Sequence, residues 1–336
     1  MQRRFKDYFT ISLKGLAMGA ADAVPGVSGG TIAFISGIYE ELITTISNVN
    51  FSLLTTLRKE GFSAFWKQVN GNFIVALLTG IVVSFVSFMR LAKYLIENQP
   101  VLIWAFFFGL IIASIYLIAI QIKKWNLATI LGLAFGAVAA FYISTLPSSA
   151  SNSSAWYLCF AGALAICAMI LPGISGSFIL VILGAYKTLS DAVHDFDFKK
   201  IGLFALGAIV GLLSFSHLLK WLFKHYHNLT LAILTGFIFG SLNKVWPWKA
   251  TTTVMHETTG ERLVFSEVSN LGTLSVFQKS TGDFESYKTI AEESVLPFKY
   301  ASINNDIDPQ LFAAIGLMIA GFLTIFILER FGKQTT

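Results

Sequence analysis

Two short runs in the chain carry residue types that can hold an anion through the main chain. Pro25-Gly26-Val27-Ser28-Gly29-Gly30-Thr31 and Pro172-Gly173-Ile174-Ser175-Gly176-Ser177 stand 147 residues apart. Proline interrupts a helix, glycine allows close approach to the backbone, and serine and threonine add hydroxyl donors. A helix broken at such a run exposes N–H groups at the positive end of its dipole, which suits a phosphate or a carboxylate. Small residues also let membrane helices approach closely, and that plainer reading covers any one glycine taken alone. The proline-led duplication is what makes both tips candidate binding elements.

Ionisable residues flank these runs. Asp22 lies three residues before Pro25 in an apolar arm. A carboxylate there is costly, so it reads either as a carrier of protons or Na+ or as a group satisfying the broken backbone. Glu40 and Glu41 sit at the far end of the same segment; both read first as interfacial, and Glu40 is a second candidate for ion coupling. Arg90 and Lys93 recur 127 residues later as His217 and Lys220. Such cations would receive an anionic headgroup at either mouth, or simply snorkel to the interface. Histidine, cysteine and acidic residues do not fall at metal-ligand spacing, so no metal, cofactor or catalytic residue is expected. Cys159 and Cys167, eight apart in one apolar helix, lie about 12 Å apart along its axis, too far for a disulfide.

The elements that position these groups must lie in a bilayer. Of 336 residues, 55% are hydrophobic and 13% charged, and the mean hydropathy is +0.68. Soluble domains carry about 25% charged residues. The net charge of +5 is spread over loops beside apolar segments and forms no stripe for nucleic acid. The basic N-terminus is followed by an apolar stretch holding Lys14 and Asp22 without a cleavage pattern, so the N-terminus is expected to be retained.

The repeat extends beyond the two runs. The offset of 147 also pairs Gly15 with Gly162, Gly37 with Gly184 and Tyr39 with Tyr186, and an offset of 127 pairs Gly80 with Gly207 and Gly109 with Gly236. The arms of 11–46 and 155–189 are too short to span twice, so each reads as a re-entrant hairpin followed by three spanning helices. Three spans per half make the repeats inverted, an arrangement of secondary transporters with binding sites near the midplane. The expected fold is an all-α polytopic membrane protein with six spans and both termini in the cytoplasm. Its expected divisions are a first repeat, 1–147, the first part of a second repeat, 148–247, a small β-rich extracytoplasmic insert, 248–308, and a last helix with its tail, 309–336. Within the insert, Arg262–Phe265 and Thr273–Phe277 read as strands.

Lys14-Gly15, Gly19-Ala20-Ala21-Asp22, the first tip through Thr31, Gly37-Ile38-Tyr39-Glu40 and Leu171 through Ser177 together resemble the bacterial PopT-type polyprenyl-phosphate transporter family. The resemblance covers most of the membrane portion and leaves the insert without a role. It implies a flippase, not an enzyme, that returns undecaprenyl phosphate from the outer to the inner leaflet of the cytoplasmic membrane for reuse in envelope synthesis. The implied partner is a polyprenyl-phosphate lipid, with coupling to protons or Na+ and oligomerisation left open. Two alternatives stand beside it. A transporter of a small anion such as phosphate would use the same tips. The Pro-Gly-x-Ser run is also similar to that of undecaprenyl-pyrophosphate phosphatases, but Gly29 and Gly176 occupy the places of the arginine that would clamp a transferring phosphoryl group.

Overall fold

The computed structural model describes residues 3–22, 28–50, 52–146, 154–256 and 259–333. The chain is mostly helical and divides into two units, one of Met1–Met89, Ser114–Ser241 and Ile327–Thr336, the other of Arg90–Ala113 and Leu242–Phe326.

From the N-terminus the helices are α1 (Phe5–Asp22), α2 (Gly29–Ile35), α3 (Tyr39–Ser47), α4 (Ser52–Gln68), α5 (Gly71–Asn98), α6 (Pro100–Ala119) and α7 (Leu127–Thr145). Then come α8 (Ala155–Ile170), α9 (Gly176–Ile182), α10 (Tyr186–His194), α11 (Phe198–His225) and α12 (His227–Gly240). The repeat seen in the sequence is matched by the element bounds. The helices α2 and α3 are separated by 147 residues from α9 and α10 at both ends, and α5 is separated by 127 from α11 at both ends. Four helical stretches among the described residues are long and apolar enough to cross a membrane: Pro100–Ala119, Leu127–Thr145, Phe198–His225 and His227–Val245.

Small residues set the helix crossings in the first unit. A side chain at Gly15 would strike the Leu77 carbonyl, and one at Gly80 the Ser12 carbonyl, so α1 and α5 meet backbone to backbone. The equivalent contacts recur between α8 and α11, where Gly162 faces the Phe204 carbonyl and Gly207 the Cys159 carbonyl. On α7, Gly132, Gly136 and Ala140 form a buried stripe while Leu131, Phe135 and Val138 are exposed, as suits a lipid-facing surface. That stripe meets α12 through reciprocal glycines, Gly136 on the Ile233 carbonyl and Gly236 on the Leu133 carbonyl. Asp197 caps α11 by accepting the Lys200 N–H, and this bond and the Lys200 ammonium hold its carboxyl below the usual range.

The second unit holds the start of α6, a three-stranded antiparallel sheet and a last long helix. Its elements are β1 (Lys249–His256), β2 (Arg262–Val264), α13 (Phe265–Val268), α14 (Leu274–Thr281), β3 (Tyr287–Ser294), α15 (Pro297–Ile303) and α16 (Leu311–Lys333). The sheet order is β2-β1-β3. Arg262–Val264 is a strand as expected, but Thr273–Phe277 is not: Leu274 to Thr281 is helical. The run has strand-like composition, yet Leu274 and Phe277, three apart, lie on one helical face over Val254 and Phe265, and Gly282 at φ 76° ends the helix. Helix α16 meets α6 through Gly321 on the Phe106 carbonyl and Gly109 on the Met318 carbonyl.

Candidate functional site

Each hairpin is a long helix, a break, a seven-residue helix, a tight turn and a nine-residue helix. In the first, Ser28 adopts an extended conformation and its hydroxyl accepts the Gly30 N–H at 3.2 Å, which starts α2. The short helix ends where Gly37 takes φ 73°, with Ile38 N–H on the Ala33 carbonyl and Gly37 N–H on the Phe34 carbonyl. This double bond set is a Schellman closure, and it needs a residue that tolerates positive φ. Gly184 at φ 66° repeats it, with Ala185 N–H on Leu180 and Gly184 N–H on Val181.

The two tips touch. Thr31, 1% exposed, accepts the Gly173 N–H on its Oγ1 at 2.9 Å. Ser28 Oγ lies 3.4 Å from the Met169 carbonyl, and the Tyr39 hydroxyl donates to the Ile170 carbonyl at 3.1 Å. A methyl group at Gly30 would sit 2.8 Å from the Met169 carbonyl oxygen and 3.0 Å from that of Ile170, so the close approach requires glycine there. Gly173, at φ +89°, lies against the Phe237 carbonyl and Ser241 of α12 and its end.

The donors of the two tips differ in occupancy. At the first, Asp22 Oδ1 accepts the Gly29 N–H at 2.6 Å, and the carboxylate fills the space a side chain at Gly29 would need. The Gly29 N–H is thus satisfied within the protein. At the second, position 169 is methionine, and among the described residues neither Gly176 N–H nor Ser177 N–H meets a protein acceptor. Ser175 and Ser177 share a hydrogen bond of 2.8 Å between hydroxyls, and Ser177 is exposed. Among the described residues of the tips, main-chain amides and hydroxyls come together, groups of the kind that donate to an oxyanion.

Side chains tether the hairpins. Lys14 donates to the Ser36 carbonyl at 2.8 Å, closing the C-terminal end of α2. In the second hairpin the equivalent carbonyl, that of Leu183, accepts from the Tyr157 hydroxyl at 2.6 Å instead. Arg3 grips Glu41 with two bonds of 2.5 and 2.7 Å, and Asn70 adds a third at 2.9 Å.

Of the residues expected to serve the site, Ser28, Gly29, Gly30 and Thr31 come together with Pro172 and Gly173, while Ser175, Gly176 and Ser177 open α9. Pro25 and Gly26 lie outside the described residues. His217 is exposed on α11, its Nδ1 donating to the Leu213 carbonyl at 2.7 Å, and Lys220 donates to Asn48 just after α3 at 3.1 Å. Glu40 opens α3, 3.8 Å from His227. Arg90 and Lys93 are one turn apart on α5 and belong to the second unit, whereas both tips belong to the first. Sequence reasoning missed the Tyr39 hydroxyl and the Tyr157 tether. The recurrence of Tyr39 as Tyr186 was a signal for the first; nothing in the repeat signals the second, because position 10 is threonine.

Residues 18–263 match the VCA0040-like, undecaprenyl phosphate translocase-like family. The chain is 37% identical over 334 residues to a polyprenyl-phosphate transporter of Vibrio cholerae serotype O1, covering 99% of this chain and all of that protein. It is 33% identical over 263 residues to a polyprenyl-phosphate transporter of Staphylococcus aureus, covering 72% of this chain and 88% of that protein. No solved structure matches the chain.

Proposed function

Because the chain belongs to the undecaprenyl phosphate translocase-like family, we propose that it returns undecaprenyl phosphate from the outer to the inner leaflet of the bacterial cytoplasmic membrane. The phosphate is the part that needs a protein path, since its transfer through hydrocarbon is costly while the prenyl tail stays in lipid. The observation that carries the reading is the joined pair of tips, with Thr31 bonded to Gly173 and the Asp22 carboxylate on Gly29 N–H. In the proposed cycle the lipid phosphate engages Ser175, Gly176 and Ser177, then replaces Asp22 at Ser28, Gly29 and Gly30. Asp22 leaves that position by taking a proton or a Na+ ion, which supplies the coupling; Glu40 is the second coupling candidate. Arg90 and Lys93 serve the outer mouth, His217 and Lys220 the inner.

The same proposal includes two inverted repeats, each a re-entrant hairpin and three spans, with both termini in the cytoplasm. The matched bounds of α2, α3 and α5 with α9, α10 and α11 support it. The repeats divide at about residue 147, with 248–308 inserted before the last helix. Their third helices are exchanged: α7 of the first pairs with α12 of the second, and α16 of the second with α6 of the first. The reciprocal glycines support this, because Gly136 and Gly321, like Leu133 and Met318, are 185 residues apart, while Gly236 and Gly109, like Ile233 and Phe106, are 127 apart.

Transport of a small anion is the second reading, favoured by donors that recognise phosphate without touching a tail. Liposomes carrying the purified protein and undecaprenyl phosphate, sampled for leaflet distribution, separate the two. Accelerated flipping that inorganic phosphate does not block supports the lipid reading. Uptake of inorganic phosphate without flipping replaces it with the small-anion reading.

A further inference from the structure

The insert closes a cavity of about 400 Å3 that the tips do not use. It lies within the second unit, between the α5–α6 junction at Asn98 to Val101, helix α14, Tyr300 of α15 and the segment leading into α16. Its walls are largely apolar, with Val101, Leu271, Val276 and Ile307, and its volume falls in the ~300–1,000 Å3 range of small-ligand sites.

Three polar features mark one class of ligand. Tyr300 is 4% exposed and lines the cavity, yet its hydroxyl has no hydrogen-bond partner among the described residues. The side chain is thus buried while its hydroxyl is open to the cavity, where it can donate to an acceptor. Lys279 stands at the rim, its ammonium donating to the Asn98 carbonyl at 3.2 Å with further donors to spare. The 20-residue α6 and the 23-residue α16 both begin at this cavity, adding the positive ends of two helices. Asp308 is the acidic group on the lining, and it is engaged by the Gln310 N–H at 2.9 Å. A cation, two helix starts and an unpartnered donor over an apolar wall fit an oxyanion carrying a hydrocarbon chain.

We propose that this cavity binds the phosphate end and first isoprene units of a prenyl phosphate, as a loading site separate from the hairpin tips. The assignment rests on the lipid reading above, under which the α5–α6 junction faces the outer leaflet. The cavity is too small for a whole undecaprenyl chain, so the tail leaves it for the bilayer.

The test is photolabelling of the full-length protein with farnesyl phosphate bearing a diazirine on its terminal isoprene, followed by peptide mapping. Label is expected on peptides within 271–280 and 297–310. Lys279→Gln should weaken it about tenfold and Tyr300→Phe about threefold to tenfold, the size of a lost charged and a lost neutral hydrogen bond. Farnesyl phosphate should compete, and farnesol and inorganic phosphate only weakly. Lys279 is exposed, so its variant tests the site even if the Tyr300 variant fails to fold. Absence of label from these peptides, label indifferent to Lys279→Gln, or competition by inorganic phosphate equal to that of farnesyl phosphate would each overturn the assignment. The same preparations are assayed for flipping. Flipping without cavity labelling removes the loading site and leaves the translocase reading, whereas cavity labelling without flipping removes the translocase reading, and with it the loading role, and leaves a prenyl-phosphate binding site.

Discussion

Thr31 Oγ1 accepts the backbone N–H of Gly173 at 2.9 Å, joining two tips that lie 142 positions apart in the chain. Removing the acceptor leaves the partly buried Gly173 N–H without its partner. Thr31→Val, of nearly the same shape, should therefore lower stability by about 1–3 kcal/mol. It should also slow flipping, because the tips lose their register. Thr31→Ser keeps the oxygen and should keep both properties. Thermal unfolding and the liposome assay check this, and equal behaviour of the valine and serine variants would remove the bond from the mechanism.

The second relationship is Asp22 on the Gly29 N–H at 2.6 Å. If the carboxylate is the internal anion that substrate displaces, its charge and its acceptor oxygen have separable roles. Asp22→Asn retains an acceptor and should preserve the fold while abolishing the response of transport to a proton or Na+ gradient. Asp22→Ala should lose both the response and about 1–3 kcal/mol of stability, the cost of an unsatisfied buried N–H. Transport by the asparagine variant that still follows the gradient would assign coupling to another group, with Glu40 next in order.

What the sequence could convey of all this is set by range. The two proline-led tips, the pairing of Gly37 with Gly184 and the offsets of the repeat are local or periodic, and they were legible; the turns that the two glycines make were not read from it. The bonds from Thr31 to Gly173 and from Tyr39 to Ile170 join residues more than 130 positions apart, and no local pattern encodes them. Asp22 was legible as an expensive group that either couples an ion or satisfies the broken backbone; that it takes the Gly29 N–H in particular was not, since that depends on how the chain folds back over seven residues. Thr273–Phe277 misled because β-branched and aromatic residues also suit a short helix whose face is buried on a sheet.

Lys14 and Tyr157 reach the same structural carbonyl in the two hairpins, one with a cation and one with a neutral hydroxyl. Lys14→Ala should loosen the end of α2 and cost about 1.5–3 kcal/mol, the range for a hydrogen bond from a charged group. Position 10 corresponds to Tyr157, so adding Thr10→Tyr to Lys14→Ala installs the second hairpin's tether in the first. The double variant should recover most of the lost thermal stability. If flipping recovers with it, Lys14 is a tether alone; if stability returns without flipping, the ammonium has a further role in transport.

The reciprocal glycines give the last prediction. Gly136 and Gly321 each rest on a carbonyl of the partner helix, Ile233 and Phe106 respectively, so a β-branched side chain at either must push the backbones apart. Overpacking at such a contact costs about 1–3 kcal/mol. Gly136→Val and Gly321→Val should therefore lower the unfolding temperature by similar amounts, although one lies in the first unit and the other in the second. Gly316, on α16 with nothing within 4 Å of where a Cβ would stand, is the internal control. Gly316→Val should leave stability nearly unchanged. A fall at Gly316 as large as at Gly321 would mean that valine is poorly tolerated anywhere on α16. An effect at Gly136 without one at Gly321 would break the equivalence of the two helix pairs and with it the exchange of third helices between the repeats.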